Sequence, residues 1–406
     1  MLISSQEIYD TLNTDKLIED ARREARLNDF GDDRLWFTLE KMQKHLASDV
    51  KLDPAGLEDV RRTTIRQLVN RLRFQQDLRQ HPEILDEDVS DPIIILGTPR
   101  SGTTKTHRMM GADPNVFATR MWQLVNPAPF PNAPAQEPDP RIQAARTQDK
   151  LINESETNPA LRAAHLYGSE EIQEDLFLFG LTFNCPYYSA GRPLSDSFFD
   201  YLKSRKEPSD LDNYKYIASL FKYLQWQQGG RKGRRWVMKH TGHIGFLEEL
   251  LKTYPKATLV HIHRSPLVSI PSLLRLSQEW YLPYNRELDA TEIAYQQLER
   301  QRWIMDRYMS SRARMGLDGQ ILDVPYEQIR NNPMPVFREI YRRASHTMSP
   351  ESEQAMIDYE HLNEQGKHGA HQYSLEMFGL SEEKIRDYFG AYMEKFIDNP
   401  IRPVTD

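Results

Sequence analysis

Hydroxyl-bearing and basic residues gather in one short turn near residue 100, where they could bind an anion. The turn follows the apolar run Ile93–Leu96, which suits a strand covered on both faces. Arg100 offers a positive charge, and Gly102 would open a helix whose free backbone N–H groups and positive dipole end attract anions. The sequence therefore predicts a buried strand that delivers a phosphate-binding loop, which reads Gly97-Thr98-Pro99-Arg100-Ser101-Gly102-Thr103-Thr104.

This loop departs from the pattern of the nucleotide triphosphatases, which need a lysine directly after the second glycine. Gly97 and Gly102 have the required spacing, but Thr103 occupies the lysine position. The glycine-rich dinucleotide fingerprint is absent as well. The sequence therefore argues against ATP or GTP hydrolysis.

Three further predicted strands, at residues 234–240, 257–263 and 321–324, end beside polar residues. Ligands of open α/β sheets collect at the carboxyl ends of the strands, so these residues should lie near the loop. Ser272 could join Arg264 in a second anion-binding corner if the connecting turn brings the next helix back. Two such corners imply a ligand with phosphates at two places. The polar residues at the strand ends are Lys239, His240, His263, Arg264, Tyr326 and Glu327.

The alternation of strand, loop and helix predicts an α/β fold with a P-loop-like parallel β-sheet flanked by helices. We place this α/β domain at residues 91–406 and a helical N-terminal region at residues 1–90. Six prolines between Asn126 and Pro140 predict an extended connector. Residues 141–230 form a predicted helical insertion on the substrate side, whose aromatic residues would be core or would line an apolar pocket. Prominent among them are Phe177, Phe179, Phe183, Tyr187, Tyr188, Phe198, Phe199 and Tyr201.

Six arginines crowd the helical pattern of residues 59–80 beside an apolar stripe. We interpret them as a solvated basic face, with a partner- or substrate-binding face as the alternative. They are Arg61, Arg62, Arg66, Arg71, Arg73 and Arg79.

Composition narrows the classes of function. The 406 residues carry a net charge of −7, so nothing global points to nucleic acid or to an anionic membrane. The single cysteine, Cys185, excludes an intramolecular disulfide framework and a cysteine-rich metal site, and is interpreted as a small buried residue. We expect no signal peptide and no membrane span, and a cytoplasmic location. The sequence does not decide whether the protein forms a homo-oligomer.

Taken together, these residues resemble the PAPS-dependent sulfotransferases, in particular the bacterial branch with a Pro-Arg-Ser-Gly-Thr-Thr loop. The resemblance runs from about Pro92 to Phe396. It implies 3′-phosphoadenosine 5′-phosphosulfate (PAPS) as the sulfuryl donor, a small-molecule acceptor and no metal. Four blocks carry it: residues 99–104; Trp236-Val237-Met238-Lys239 leading to His243; His263-Arg264-Ser265-Pro266 with Ser272; and Gly366-Lys367-His368-Gly369-Ala370-His371-Gln372-Tyr373-Ser374.

The resemblance also implies roles for individual residues. Arg100, Ser101, Gly102, Thr103 and Thr104 would surround the 5′-phosphosulfate, and Arg264 with Ser272 would hold the 3′-phosphate. Tyr326 would lie near the adenine, with a core position as the alternative. Lys367 and His368 would belong to a carboxy-terminal loop that closes over the nucleotide, with a surface loop as the alternative.

Catalysis needs cationic stabilisation of the leaving phosphate and a base for the acceptor hydroxyl. Arg100 and Lys239 could supply the cations. Relatives use His or Glu as the base, and the candidates here are His240, His243, Glu171 and Glu174. We rank His243 first, then His240 and then Glu174. Two departures from the family pattern put catalysis in doubt, namely Lys105 beside the loop and Thr241-Gly242 after the third block.

The sequence thus predicts a sulfotransferase acting on a hydroxyl of a small, partly apolar acceptor. One alternative is an enzyme that activates an alcohol as its sulfate for elimination. Another is a protein that binds 3′,5′-phosphoadenosine without transfer.

Overall fold

A five-stranded parallel sheet forms the centre of the α/β part of the chain. The computed structural model describes residues 2–32, 34–131, 138–154, 168–184, 195–205, 209–281, 289–363 and 374–405. The strands are β1 (Ile93–Leu96), β2 (Val116–Phe117), β3 (Arg235–Lys239), β4 (Thr258–His263) and β5 (Leu322–Pro325). Their order in the sheet is β2-β3-β1-β4-β5. The predicted parallel sheet is therefore confirmed, although the two-residue strand β2 was too short to predict.

Strand β1 lies at the middle of this sheet and is buried on both faces. Ile93 pairs with Val237 of β3 and with Thr258 of β4. Successive side chains of a strand point to opposite faces. Accordingly Ile93 and Ile95 belong to one apolar cluster and Ile94 to another. Full burial of such a side chain contributes about 1.5–3 kcal/mol, so this strand is a firm support for the loop that follows it.

The N-terminal region is helical, as predicted. Its helices are α1 (Ser5–Thr11), α2 (Thr14–Ala25), α3 (Arg34–Asp49) and α4 (Pro54–Gln80). Asp53 caps α4 by accepting a hydrogen bond from the backbone of Gly56 at 2.8 Å. The apolar faces of these helices share a core with Phe183, Tyr281 and Ile293 from later parts of the chain.

The interpretation of the α4 arginines as a solvated face is wrong for Arg71, which is only 4% exposed. Its guanidinium donates hydrogen bonds to the carbonyl oxygens of Leu181 at 2.8 Å and Phe30 at 3.2 Å. It also lies 4.3 Å above the ring of Tyr216. A buried arginine is tolerated when its donors find such partners, so Arg71 ties α4 to the segment after residue 180.

Helices cover both faces of the sheet and form most of the described part of the predicted insertion. Pro140, predicted as part of the extended connector, is instead the first residue of a helix, because proline fits a first helical turn. The helices are α5 (Thr103–Met110), α6 (Met121–Val125), α7 (Pro140–Glu154), α8 (Leu176–Phe179), α9 (Asp196–Ser204), α10 (Asp210–Gln227), α11 (Leu247–Thr253), α12 (Pro266–Tyr281), α13 (Ala290–Arg314), α14 (Tyr326–Asn331), α15 (Met334–Arg343), α16 (Pro350–Leu362) and α17 (Glu382–Met393).

The aromatic residues of the insertion divide between core and partly exposed positions. Phe179, Phe183 and Phe199 are buried, as the core interpretation expects. Phe198 and Tyr201 are half-buried and pack against the ring of His45. Tyr187, Tyr188 and Cys185 lie outside the described residues.

Candidate active site

The predicted anion loop connects β1 to the N-terminus of α5. Gly97 has φ +153°, and a Cβ atom there would lie 2.6 Å from Ser101 Oγ and 3.0 Å from the Ile262 carbonyl oxygen. The Ser101 hydroxyl donates to the Thr98 carbonyl at 2.6 Å and closes the turn. Only glycine fits this position, since the loop folds tightly against β4. The loop thereby presents the first N–H groups of α5 at the carboxyl edge of the sheet.

Arg100 brings the two predicted anion corners into contact. Its backbone is left-handed, with φ +67°, and its Nε donates to Ser272 Oγ at 3.0 Å. Arg264 in turn donates from Nη1 to the carbonyl oxygen of Arg100. Helix α12 therefore does return to the loop, which was the condition for Ser272 to join Arg264.

Tyr326 completes this corner at the start of α14. Its ring packs under the guanidinium of Arg264, whose Cζ lies 4.2 Å from the ring centroid. The ring also abuts Gly102, where φ is +88° and an added Cβ would approach Tyr326 Cδ2 to 3.0 Å. Tyr326 is thus half-buried between the loop and the apolar cluster that contains Val324 and Ile329.

Lys239 and Glu174 form an ion pair on the other side of the loop. The Lys239 ammonium, at the carboxyl end of β3, donates to Glu174 and to Thr104 Oγ1, the latter at 3.4 Å. Glu174 reaches it from a segment that runs beside β3, where the Asp175 N–H donates to the Lys239 carbonyl at 3.2 Å. Burial lowers the pKa of Lys239, and the carboxylate of Glu174 opposes that shift. A cation and a carboxylate therefore stand next to the loop hydroxyl.

His243 lies in a buried hydrogen-bond network. Its Nε2 is 3.2 Å from Asp175 Oδ2, and its Nδ1 is 2.9 Å from the hydroxyl of Tyr214. Both ring nitrogens are thus engaged inside the protein, and the residue is 2% exposed. His240 is equally buried, and this burial holds its pKa well below the usual value.

Sequence reasoning missed Asp175 and Tyr214. Asp175 directly follows Glu174, so alternation along an extended segment would send the two side chains to opposite sides. The adjacency of these two carboxylates was the one signal in the sequence that could have indicated Asp175. Tyr214 lies on α10, and nothing in its local sequence indicates the contact with His243.

Lys105, the charge that departs from the family pattern, is paired away from the anion loop. Its ammonium lies 2.6 Å from Glu360 Oε1 on α16 and 3.3 Å from the carbonyl oxygen of Arg330. Lys367 and His368, predicted to cover the nucleotide, lie outside the described residues.

Within the described ranges, two groups have ligand atoms close enough to hold a metal ion. They are Asp175 with His240 and His243, and His261 with His263 and Asp323. The charge of Lys239 contributes to the lowered pKa of His240 and would repel a cation in the first group. In the second, Arg312 occupies both carboxylate oxygens of Asp323. We assign a metal to neither.

A five-stranded parallel sheet flanked by helices, with a tight loop and basic side chains at its carboxyl edge, defines an α/β protein. The Sulfotransferase family model matches residues 92–350. The chain belongs to the sulfotransferase family.

Solved structures agree with this assignment. The chain is similar to sulfotransferase STF9 from Mycobacterium avium, with 26% identity and a TM-score of 0.82 over 97% of this chain and 98% of the other. It is also similar to sulfotransferase STF1 from Mycobacterium tuberculosis H37Rv, with 25% identity and a TM-score of 0.78 over 93% and 98%. A comparison with curated protein sequences finds no significant match. Among the described residues, no helix has the length and apolarity needed to cross a bilayer.

Proposed function

We propose that this protein transfers the sulfuryl group of PAPS to a hydroxyl of a small, partly apolar acceptor. The observation that carries the proposal is the meeting of Arg100, Arg264 and Ser272 beside the N-terminus of α5. Three donors of hydrogen bonds thereby converge at a loop that already attracts anions. A nucleotide with phosphates at both its 3′ and 5′ positions matches this pattern.

The proposed contacts with PAPS divide between the two sides of the loop. The loop N–H groups and Arg100 would bind the 5′-phosphosulfate, whereas Arg264 and Ser272 would bind the 3′-phosphate. Tyr326 would contact the adenine from its place beneath Arg264. Lys367 and His368 stay as predicted contacts from the carboxy-terminal loop.

In the transfer step, the acceptor oxygen attacks sulfur while the bond between sulfur and the 5′-phosphate oxygen breaks. The electron pair of that bond stays on the phosphate, and the proton of the acceptor goes to a base. Lys239 would stabilise the charge on the leaving phosphate, since its ammonium reaches Thr104 of the loop. The sulfate ester and 3′,5′-phosphoadenosine are the products.

For the base, the geometry changes the order of the candidates. The ring nitrogens of His243 already contact Asp175 and Tyr214 inside the protein. Glu174 instead pairs with Lys239, which also contacts Thr104 of the loop. We therefore propose Glu174 as the base, and His243 as the residue that holds Asp175 and the end of β3 in place. His240 stays a weaker candidate because it is fully buried.

The alternative of nucleotide binding without transfer rested in part on Lys105. The ion pair with Glu360 gives that charge a structural partner, so this ground for the alternative falls away. No described contact favours elimination over simple transfer. The single cysteine suits a reducing compartment, and we propose the cytoplasm as the location.

The test is a transfer assay with ³⁵S-labelled PAPS and a panel of phenols and aliphatic alcohols. We expect labelled sulfate esters from some members of the panel, and binding of 3′,5′-phosphoadenosine measured by calorimetry. Binding without any labelled product across the panel would support the non-transferring alternative. Absence of nucleotide binding would refute the donor site itself.

A further inference from the structure

A chain of buried polar groups runs behind the proposed donor site, between β4, β5 and the C-terminal helix. It begins at Asp323 on β5, whose two carboxylate oxygens accept hydrogen bonds from Arg312 at 2.7 and 2.6 Å. Asp323 Oδ1 also lies 2.8 Å from His263 Nε2. Burial raises the pKa of Asp323, but hydrogen bonds from Arg312 and His263 outweigh it and lower that pKa to about 2. The carboxylate is therefore ionised and can only accept.

This acceptor fixes the tautomer of His263. Its Nε2 must carry the hydrogen, because a carboxylate offers none. Burial lowers the pKa of His263 although Asp323 opposes that shift, which favours a neutral ring with Nδ1 as an acceptor. The hydroxyl of Tyr392, 3.2 Å from Nδ1, must then donate to it.

The chain of polar groups ends at Tyr392, which holds the ring of His263, and Arg264 directly follows His263 in the sequence. Tyr392 is 1% exposed, and the ring of Phe396 stacks on His263 with centroids 4.3 Å apart. Water therefore does not compete for these bonds, and each donor along the chain has one acceptor.

We propose that Tyr392 is a positioning residue of the donor site, through which helix α17 fixes His263, the residue directly before Arg264. This inference rests on the proposed function, in which Arg264 binds the 3′-phosphate. The side chain of Arg264 must meet the Arg100 carbonyl and cover Tyr326 at once. Both contacts depend on where its backbone leaves β4. An anchored peptide keeps the guanidinium preorganised for an anion and so lowers the ordering cost of binding.

The sequence predicts a polar strand end at His263, but it assigns no role to Asp323, Arg312 or Tyr392. Asp323 and His263 lie on neighbouring strands, so sheet register brings them together. Arg312 lies on α13 and Tyr392 on α17, and the two helices contact each other. The proposed nucleotide contacts around Arg264 are thus supported by α17, a helix about 120 residues further along the chain.

The experiment compares Tyr392→Phe with the wild type and with Tyr388→Phe. The control removes a hydroxyl from the same helix, one that donates to Glu299 instead of reaching β4. Loss of one net hydrogen bond predicts that Tyr392→Phe raises the Kd for 3′,5′-phosphoadenosine about three- to tenfold. The KM for PAPS should rise by a similar factor, while the KM for the acceptor stays unchanged. The control Tyr388→Phe should have wild-type values of both constants. Thermal melts show whether each variant is folded at the assay temperature.

The outcomes separate this inference from the proposed function. Wild-type protein that does not bind 3′,5′-phosphoadenosine refutes both. Wild-type binding with an equal Kd in Tyr392→Phe refutes the positioning role alone, as does a parallel rise of both KM values. If Tyr392→Phe is unfolded, His263→Phe takes its place. It removes the acceptor of Tyr392 while Arg312 still donates to both oxygens of Asp323, so affinity for the nucleotide should again fall selectively.

Discussion

Replacing Glu174 by Gln tests which residue removes the proton from the acceptor. The substitution keeps the size and one carbonyl oxygen of the side chain, so Lys239 retains a hydrogen-bond acceptor. It removes the basic carboxylate. A positioned general base contributes about 10²- to 10⁴-fold in rate, which corresponds to roughly 2.7–5.4 kcal/mol of activation free energy. We expect kcat to fall by that factor, with the Kd for 3′,5′-phosphoadenosine nearly unchanged.

The same substitution has a structural cost that must be measured separately. The Lys239 side chain is 2% exposed and the Glu174 side chain 16%. Breaking a buried ion pair costs about 3–5 kcal/mol when one charge is left alone. That value is an upper bound here, since glutamine still accepts from Lys239 and Glu174 is partly exposed. Thermal melts and nucleotide binding therefore precede the rate measurements.

Two acceptors of different acidity distinguish a lost base from a damaged site. A nitrophenol is largely ionised at mildly alkaline pH and needs no base, whereas an aliphatic alcohol does. Glu174→Gln should therefore lose much of its rate with the alcohol and little with the nitrophenol. A distorted site would lose rate with both. Glu171→Gln is the matched control, because this half-exposed carboxylate lies on the same segment, near Arg108.

His243→Gln provides the competing measurement. If His243 is the base, its variant will show the selective loss with the alcohol and Glu174→Gln will not. If Glu174 is the base, His243→Gln should lower stability through Asp175 and Tyr214 and reduce both rates together. Equal rates of Glu174→Gln and wild type with the aliphatic alcohol would refute our reasoning.

Three further predictions concern the donor site and the fold. Arg264→Ala should raise the Kd for 3′,5′-phosphoadenosine about 10- to 150-fold, because roughly 1.5–3 kcal/mol of charge-assisted hydrogen bonding is lost. Arg342→Ala, at an exposed arginine, is the control. Equal affinities of Arg264→Ala and the wild type would contradict the assignment. The double substitution Lys105→Met and Glu360→Gln should change the Kd for 3′,5′-phosphoadenosine less than about fivefold in calorimetry, because a partly exposed ion pair contributes under about 1 kcal/mol. A larger loss of affinity would mean that the loop needs the charge of Lys105. Burial lowers the pKa of His107 from 6.5 to about 4, so the folded state resists a proton that the unfolded state accepts. Melting temperature should fall as pH drops from 6.5 toward 4, less steeply in His107→Gln, and equal slopes would exclude His107 as a contributor.

The loop and most strands could be predicted because their signals are local. A run of apolar residues ending in Gly97 and Gly102 specifies a buried strand and a tight turn wherever it occurs. The meeting of Arg100 with Ser272 could be predicted only as a condition, since it depends on the path of α12. The family resemblance supplied the roles of these residues, which their spacing alone does not contain.

Contacts between distant segments could not be predicted. Glu360 neutralises Lys105 from 255 positions away, so a charge that looked disruptive in sequence is satisfied in the fold. The charged neighbours of Arg71 on α4 predict a solvated face, yet the carbonyl oxygen of Leu181, 110 residues further along the chain, accepts its hydrogen bond. Helical periodicity reports which side chains share a face and not which face another segment will cover.

The order of the strands gives the two sides of the loop different tasks. Strand β1 lies between β3 and β4, so the loop after β1 receives Lys239 from one side and Arg264 from the other. Lys239 contacts Glu174 and Thr104. On this side the proton of the acceptor would be removed and the charge of the leaving phosphate stabilised. Arg264 meets Arg100 and Tyr326, where a nucleotide would be recognised. Substitutions at the end of β3 should therefore change kcat, and substitutions at the end of β4 should change donor affinity, because β1 and its loop separate the two groups.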